Sequence, residues 1–207
     1  MQKRAERTRN ELVETMRRLI HKRGVGRASL REVLAATGAN KGSLYFHFGG
    51  KDELVLAALE QAAADFEAFV DERLAGPTPA ARLRAFLAAI RDMHRESDFA
   101  RGCLFGNTAL EMADADPRYR RLLNGVFERW GERLRPVIAA AQECGELRRD
   151  VGAPVLARQV VAVVEGGVMQ ARLQRREAPL AEALATLEVL LGMAPAAATA
   201  TEDAANG

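Results

Sequence analysis

The residues best suited to chemistry in this 207-residue chain begin with Asn40-Lys41-Gly42-Ser43-Leu44-Tyr45-Phe46-His47 and the nearby Lys51. Lys41, Tyr45 and His47 are hydrogen-bond donors, Ser43 is small, and Gly42 has no side chain. Gly42 costs a helix about 1 kcal/mol against Ala. That cost makes sense on an outward face if another molecule must approach the backbone closely. A second group is Arg101-Gly102-Cys103-Leu104-Phe105-Gly106-Asn107, followed by Thr108, Glu111 and Met112. A thiolate at a helix N-terminus beside a cation such as Arg101 would make Cys103 reactive. The other reading of Cys103 is a small residue packed behind a pocket. Cys144 has no such setting, and the two cysteines are too far apart in sequence to form a metal pair. His21, His47 and His94 lack the His-x-x-x-His spacing of a metal site. A Gly-x-Ser-x-Gly turn, a phosphate-binding lysine loop and a dinucleotide fingerprint are also missing. The chain is therefore expected not to be an enzyme and to need no metal and no cofactor.

Charge separates the chain into two parts. Residues 1–55 hold twelve Lys/Arg against six Asp/Glu, a net of +6, whereas the remainder is −4 within an overall +2. All four lysines (Lys3, Lys22, Lys41, Lys51) lie in the first part. A basic head on a mildly acidic body is the footprint of a nucleic-acid-binding module joined to a second function. Chance drift of a short segment is the alternative. Hydrophobic residues at 48% and charged residues at 28% indicate a globular chain. The longest uncharged run, Val189 to Thr201, includes Pro195 and is too short to span a bilayer. No apolar segment follows the charged N-terminus, so a secretory signal is not expected. These features predict a cytoplasmic protein with no membrane partner.

The elements that must position these groups read as helices. Leu12, Met16, Leu19 and Ile20 predict an amphipathic helix over about 4–23, ended by Gly24 and Gly26. Ser29-Leu30-Arg31-Glu32 is a capping-box pattern. Gly38 supplies the positive φ of a tight helix-to-helix turn, and Asn40 caps the next short helix. Lys51-Asp52-Glu53 opens a longer helix that ends near Gly76-Pro77. Further helices are expected over about 79–95, after Gly102, from Asp116-Pro117 to about Glu143, over 153–176 and over 179–191. Pro136 should kink or split the helix that starts at Asp116-Pro117. No run alternates with the period of a strand.

Residues 29–48 have the layout of a helix-turn-helix, whose second helix can lie in a major groove. The stretch from Ala28 to Leu54, with Leu44-Tyr45-x-His47-Phe48-x-x-Lys51-x-x-Leu54 at its core, resembles the DNA-binding domain of the TetR/AcrR family of bacterial transcriptional regulators. The likeness runs over residues 8–59. It implies that Tyr45 and His47 touch the DNA backbone and that Lys51 donates to phosphate. It also implies that Lys41 reads bases or phosphate, and that Arg27 and the Ser29 cap lie near phosphate. Asn40, Gly42 and Ser43 complete the implied DNA-binding set. Leu44, Phe46 and Phe48 read as core of a three-helix domain. Arg7 and Arg9 read as a solvated face, with phosphate contact the alternative.

The resemblance implies an all-α chain: a helix-turn-helix domain over 1–50 and a helical ligand-binding and dimerisation domain over 51–193. Residues 194–207 are expected to form a disordered tail. The last two helices resemble a pair that packs between subunits of a homodimer. Val155, Leu156, Val160, Val161, Val163, Val164, Val168, Leu184, Leu187, Leu190 and Leu191 suit such an interface, with Gly166-Gly167 allowing close approach. Intrachain core is the alternative. Gly102-Cys103-x-x-Gly106-Asn107 is similar to a motif in one branch of the family, in some members of which the cysteine responds to electrophiles or oxidants. An apolar effector pocket is expected from Phe66, Met93, Phe99, Phe105, Met112, Phe127, Trp130 and Met169, with Cys103, Asn107, Thr108 and Glu111 as its polar groups. The expected function is a repressor that binds a palindromic double-stranded DNA operator as a dimer and is released by a small apolar or electrophilic effector. The alternatives are a redox or electrophile sensor acting through Cys103, a helical sensor acting on a protein partner without DNA, and a non-specific architectural protein.

Overall fold

The computed structural model describes residues 2–194, which leaves the expected disordered tail, Ala194 excepted, outside the described residues. In chain order the helices are α1 (Gln2–Arg23), α2 (Leu30–Thr37), α3 (Lys41–His47), α4 (Lys51–Arg73), α5 (Pro79–Arg95), α6 (Leu104–Met112), α7 (Pro117–Glu143), α8 (Ala153–Gln174) and α9 (Ala178–Leu191). No strand occurs among the described residues. The chain is thus all-helical, with an N-terminal helix-turn-helix and a C-terminal helical part.

Local chemistry sets the head. Leu12, Met16 and Ile20 recur on one face of α1 and are buried. The Glu32 N–H donates to Ser29 Oγ (3.3 Å), so Ser29 caps α2 as its sequence pattern predicts. Gly38 takes φ +68° at the end of α2, where a side chain would be strained although space is open. Asn40 Oδ1 then accepts the Ser43 N–H at 2.8 Å and starts α3.

The head does not close on itself at residue 50. Leu54, Val55, Ala58 and Leu59 of α4 share one core with Leu12, Met16, Val33 and Leu44, and that core continues into Leu104, Phe105, Tyr119 and Trp130 of α6 and α7. A second core joins the end of α4 to α5, α8, α9 and the latter half of α7. Helix α4 therefore runs through both. Asp116 Oδ1 accepts the Arg118 N–H (2.8 Å) and begins α7 with Pro117 at its first position. Pro136 does not split α7, which is assigned as one helix through Glu143.

The expected intersubunit stripe divides. Leu156, Val160, Val164, Val168, Leu184, Leu187 and Leu191 are buried within the chain, while Val155 and Leu190 face outward, as do Met169, Leu173 and Val189, which the expected stripe did not include. Gly167 serves the inward side: a Cβ there would lie 2.8 Å from that of Ala183 on α9. A Cβ at Gly166 would meet nothing within 4 Å among the described residues.

Candidate functional site

Helix α3 turns about 100° per residue, so residues four apart share a face and residues two apart oppose one another. Leu44 and Phe48 are buried. Phe46, two residues from each, stands outward and is 78% exposed, beside Tyr45 at 58%. The expectation that Phe46 belongs to the core is therefore wrong: its angle on the helix outweighs its apolar character. Its ring meets His47 edge-on, with centroids 4.9 Å apart. Lys41, Gly42 and Asn40 are exposed on the same helix, and Ser43 and His47 are half-buried.

The surrounding cations are set by local contacts. Lys51 Nζ lies 3.4 Å from the Gly26 carbonyl, to which it donates, and ties the start of α4 to the α1–α2 turn. Ser29 Oγ donates to Glu32 Oε2 (2.9 Å), and Arg23 pairs with the same carboxylate at 2.5 Å. These two partners, Ser29 first, hold the Glu32 carboxyl below its ordinary range. Arg27 and Lys41 make no ion pair among the described residues. Arg7 is paired with Glu11 at 2.8 Å, and the Arg9 guanidinium lies 5.5 Å from the Phe48 ring centre. Both arginines thus have local partners on the head.

Contacts between head and body lie close by. Glu111 on α6 accepts the backbone N–H of Val25 (2.8 Å) and of Gly26 (2.6 Å). The turn is shaped to receive it. Gly24 has φ +83°, and a Cβ there would lie 2.6 Å from Glu111 Oε2. His21 Nε2 donates to the Gly102 carbonyl at 3.0 Å. Tyr119 donates its hydroxyl to Asp52 Oδ1 at 3.1 Å, and burial together with that carboxylate pushes the tyrosine pKa up. Glu111 thus occupies the α1–α2 turn and does not line a body cavity as expected.

The body brings together only part of the expected effector set. Phe66, Phe105 and Phe127 surround Trp130, with ring centres 4.3, 5.5 and 5.1 Å from it. Trp130 Nε1 is buried with no hydrogen-bond partner among the described residues. Met93 packs against the second core and Met112 against the first. Met169 is 57% exposed and lies outside this cluster. Thr108 is buried and spends its hydroxyl on the Leu104 carbonyl (2.8 Å). Asn107 donates to the Arg101 carbonyl (3.0 Å) and accepts from Arg172.

Cys103 caps α6, its sulfur accepting the Gly106 N–H at 3.3 Å. The expected thiolate is not favoured there. Burial and the neighbouring Glu165 carboxylate push the thiol pKa well up, and exposed Arg101 does not offset them. Glu165 itself is raised to about 7 by burial. Its carboxylate lies over Gly106, where a Cβ would meet it at 2.5 Å. Burial also lowers His94 to about 4, and His21 shifts downward for the same first reason. Glu165, His94 and Arg172 were absent from the expected site. Glu165 did carry a signal, as a lone acid in the apolar run Val160–Met169. The described residues contain no cluster suited to a metal ion, and no helix among them is long and apolar enough to cross a membrane.

Known proteins share both halves of this arrangement. The profile "Bacterial regulatory proteins, tetR family" matches residues 12–58, reaching into α4 as the shared core does. "Tetracyclin repressor-like, C-terminal domain" matches residues 79–187. Transcriptional regulator AcuR of Cereibacter sphaeroides is 35% identical over 76% of this chain and 73% of its own length. The HTH-type transcriptional repressor DhaR of a Mycobacterium species is 30% identical over 88% of this chain and 92% of its own. A TetR transcriptional regulator from Chloroflexus aurantiacus superposes with a TM-score of 0.82 at 31% identity, covering 93% of this chain and 97% of that one. The helix-turn-helix head, the helical body and these likenesses agree: the chain belongs to the TetR family of bacterial regulators and is a DNA-binding transcriptional regulator, not an enzyme.

Proposed function

We propose that this regulator is a cytoplasmic repressor that binds a palindromic operator as a homodimer and is released by a small effector held in the body. The observation that carries the reading is the outer face of α3. Lys41, Gly42, Tyr45 and Phe46 stand free there while Leu44 and Phe48 anchor the helix to a core shared with the body. Lys41, Tyr45 and His47 face the duplex from α3. Asn40 and Ser43 start that helix, and Arg27, Ser29 and Lys51 border it. A dimer places two such heads one helical turn apart, about 34–36 Å. Outward Met169, Leu173, Val189 and Leu190 on α8 and α9 supply apolar surface for the pairing. The name of DhaR, a repressor, supports repression here.

The effector binds near the Phe66–Phe105–Phe127–Trp130 cluster. The unpaired Trp130 N–H and the Glu165 carboxyl offer it hydrogen bonds. Gly102-Cys103-x-x-Gly106-Asn107 at this end of α6 supports placement in the family branch that carries that motif. An apolar effector fits this lining better than an electrophile, because the Cys103 thiol is held protonated. Release follows if the effector favours a state in which α6 shifts and Glu111, at its other end, leaves the α1–α2 turn. Footprinting of the DNA upstream of the gene with purified protein tests the proposal. Two protected half-sites related by a dyad are expected, and uniform protection of all fragments would overturn it.

A further inference from the structure

We propose that Phe46 reads thymine, by placing its ring against the C5-methyl group in the major groove. This deepens the reading that α3 enters that groove and rests on it. Among the described residues of the head, Phe46 and Tyr45 are the large apolar or aromatic side chains left exposed, and Phe46 is the more exposed of the two. A phenyl ring has no hydrogen-bonding atom, so it contributes nothing to phosphate binding and is unfavourable in water. Around it stand polar Lys41, Ser43 and His47. The T-shaped contact with His47 (4.9 Å, interplanar angle 80°) limits the positions the ring can take.

The face around Phe46 is cut to admit a base edge. Gly42 lies one turn before it on the same stripe. A Cβ at Gly42 would meet only the Asn40 cap, at 3.3 Å, so nothing stands outward of the backbone there. The duplex can therefore approach α3 closely beside the ring. Along the major groove, base edges present mostly donors and acceptors, and the apolar group that projects furthest from them is the thymine methyl. Cations Lys41 and Lys51 border the face and suit the flanking phosphates. The remaining apolar surface of a duplex is the sugar edge, which carries no sequence information.

The test uses the full-length protein and an operator selected from random duplexes. Each thymine is replaced in turn by deoxyuridine, which removes only the methyl group, and affinity is measured by fluorescence anisotropy. One thymine per half-site is expected at which the replacement weakens binding about fourfold, or about fifteenfold when both half-sites are changed, as one buried methyl predicts. Phe46→Ala should lose a similar factor and become insensitive to deoxyuridine at that position, while Phe46→Leu keeps part of the sensitivity. Phe46 is exposed, so its removal leaves the fold intact, and circular dichroism checks this. Equal deoxyuridine sensitivity in Phe46→Ala and the parent would overturn the proposal, as would undiminished affinity in Phe46→Ala. Failure of the parent to select any sequence would bring down the operator reading itself, and this inference with it.

Discussion

Removing the Glu111 carboxylate should loosen the α1–α2 turn without unfolding the body. In Glu111→Ala two backbone donors lose their acceptor. The Val25 N–H belongs to a buried residue and is left unpaired, at a cost of about 1–3 kcal/mol. Gly26 is exposed, so water replaces its bond at 2.6 Å and the loss there is smaller, about 0.5–1 kcal/mol. A total of about 1.5–4 kcal/mol corresponds to local opening that is about tenfold to nearly a thousandfold easier. Amide hydrogen exchange at Val25 and Gly26 reads this directly, with buried Leu87 on α5 as an internal control. Glu111→Gln keeps one acceptor oxygen and should recover about half of the free energy. Operator affinity should fall because the head loses its fixed orientation. The salt dependence should stay unchanged because no phosphate-facing cation is removed. Unaltered exchange at Val25 and Gly26 in Glu111→Ala would refute the reasoning.

The structure sets other outcomes as well. With a thiol-specific chromophoric disulfide at neutral pH, exposed Cys144 should react quickly and Cys103 slowly, so Cys144→Ser leaves only a slow phase; a fast remaining thiol would contradict the setting of Cys103. Leu173→Glu, on a side chain 82% exposed, should shift the protein from dimer to monomer in sedimentation while preserving helicity; an unchanged dimer would place the interface elsewhere. Two buried groups should oppose each other as pH changes. Glu165 is raised from 4.5 to about 7, so its contribution to stability falls as pH climbs through that window, by up to about 3 kcal/mol. His94 is lowered from 6.5 to about 4, so its contribution rises over nearly the same interval and by a similar amount. The parent should therefore show a nearly flat denaturation midpoint across their overlap, about pH 4.5–6.5. Glu165→Gln should expose the rising limb alone, and a flat profile in that variant would count against burial of both groups.

The helix starts and the head's turn were legible because their signals are local. Ser29 and Asn40 cap the helices their positions announce, Gly38 turns with positive φ, and Asp116-Pro117 opens α7. Phe46 was misread because residue type was weighed above helical angle, and the neighbouring Leu44 and Phe48 satisfy the core without it. The expected interface stripe mixed inward and outward residues because apolar spacing cannot say which partner lies opposite. Gly167 shows the point, since it lets α9 of the same chain approach. Contacts spanning long sequence separations were not legible. Glu111 meets backbone donors 85 and 86 residues away, and no side-chain pattern marks such acceptors. Burial first, and then Glu165 from 62 residues away, raise the Cys103 thiol, reversing the reading taken from Arg101 two residues before it.

The most direct measurement is the affinity of the purified protein for its upstream DNA and for random duplex of equal length, as salt is raised. With Arg27, Lys41 and Lys51 contributed by each of two heads, log affinity should fall against log salt with a slope of about −5, on both DNAs. The upstream fragment should stay favoured by a factor on the order of a thousand or more. Equal affinity for both duplexes at every salt concentration would contradict a reader built on α3.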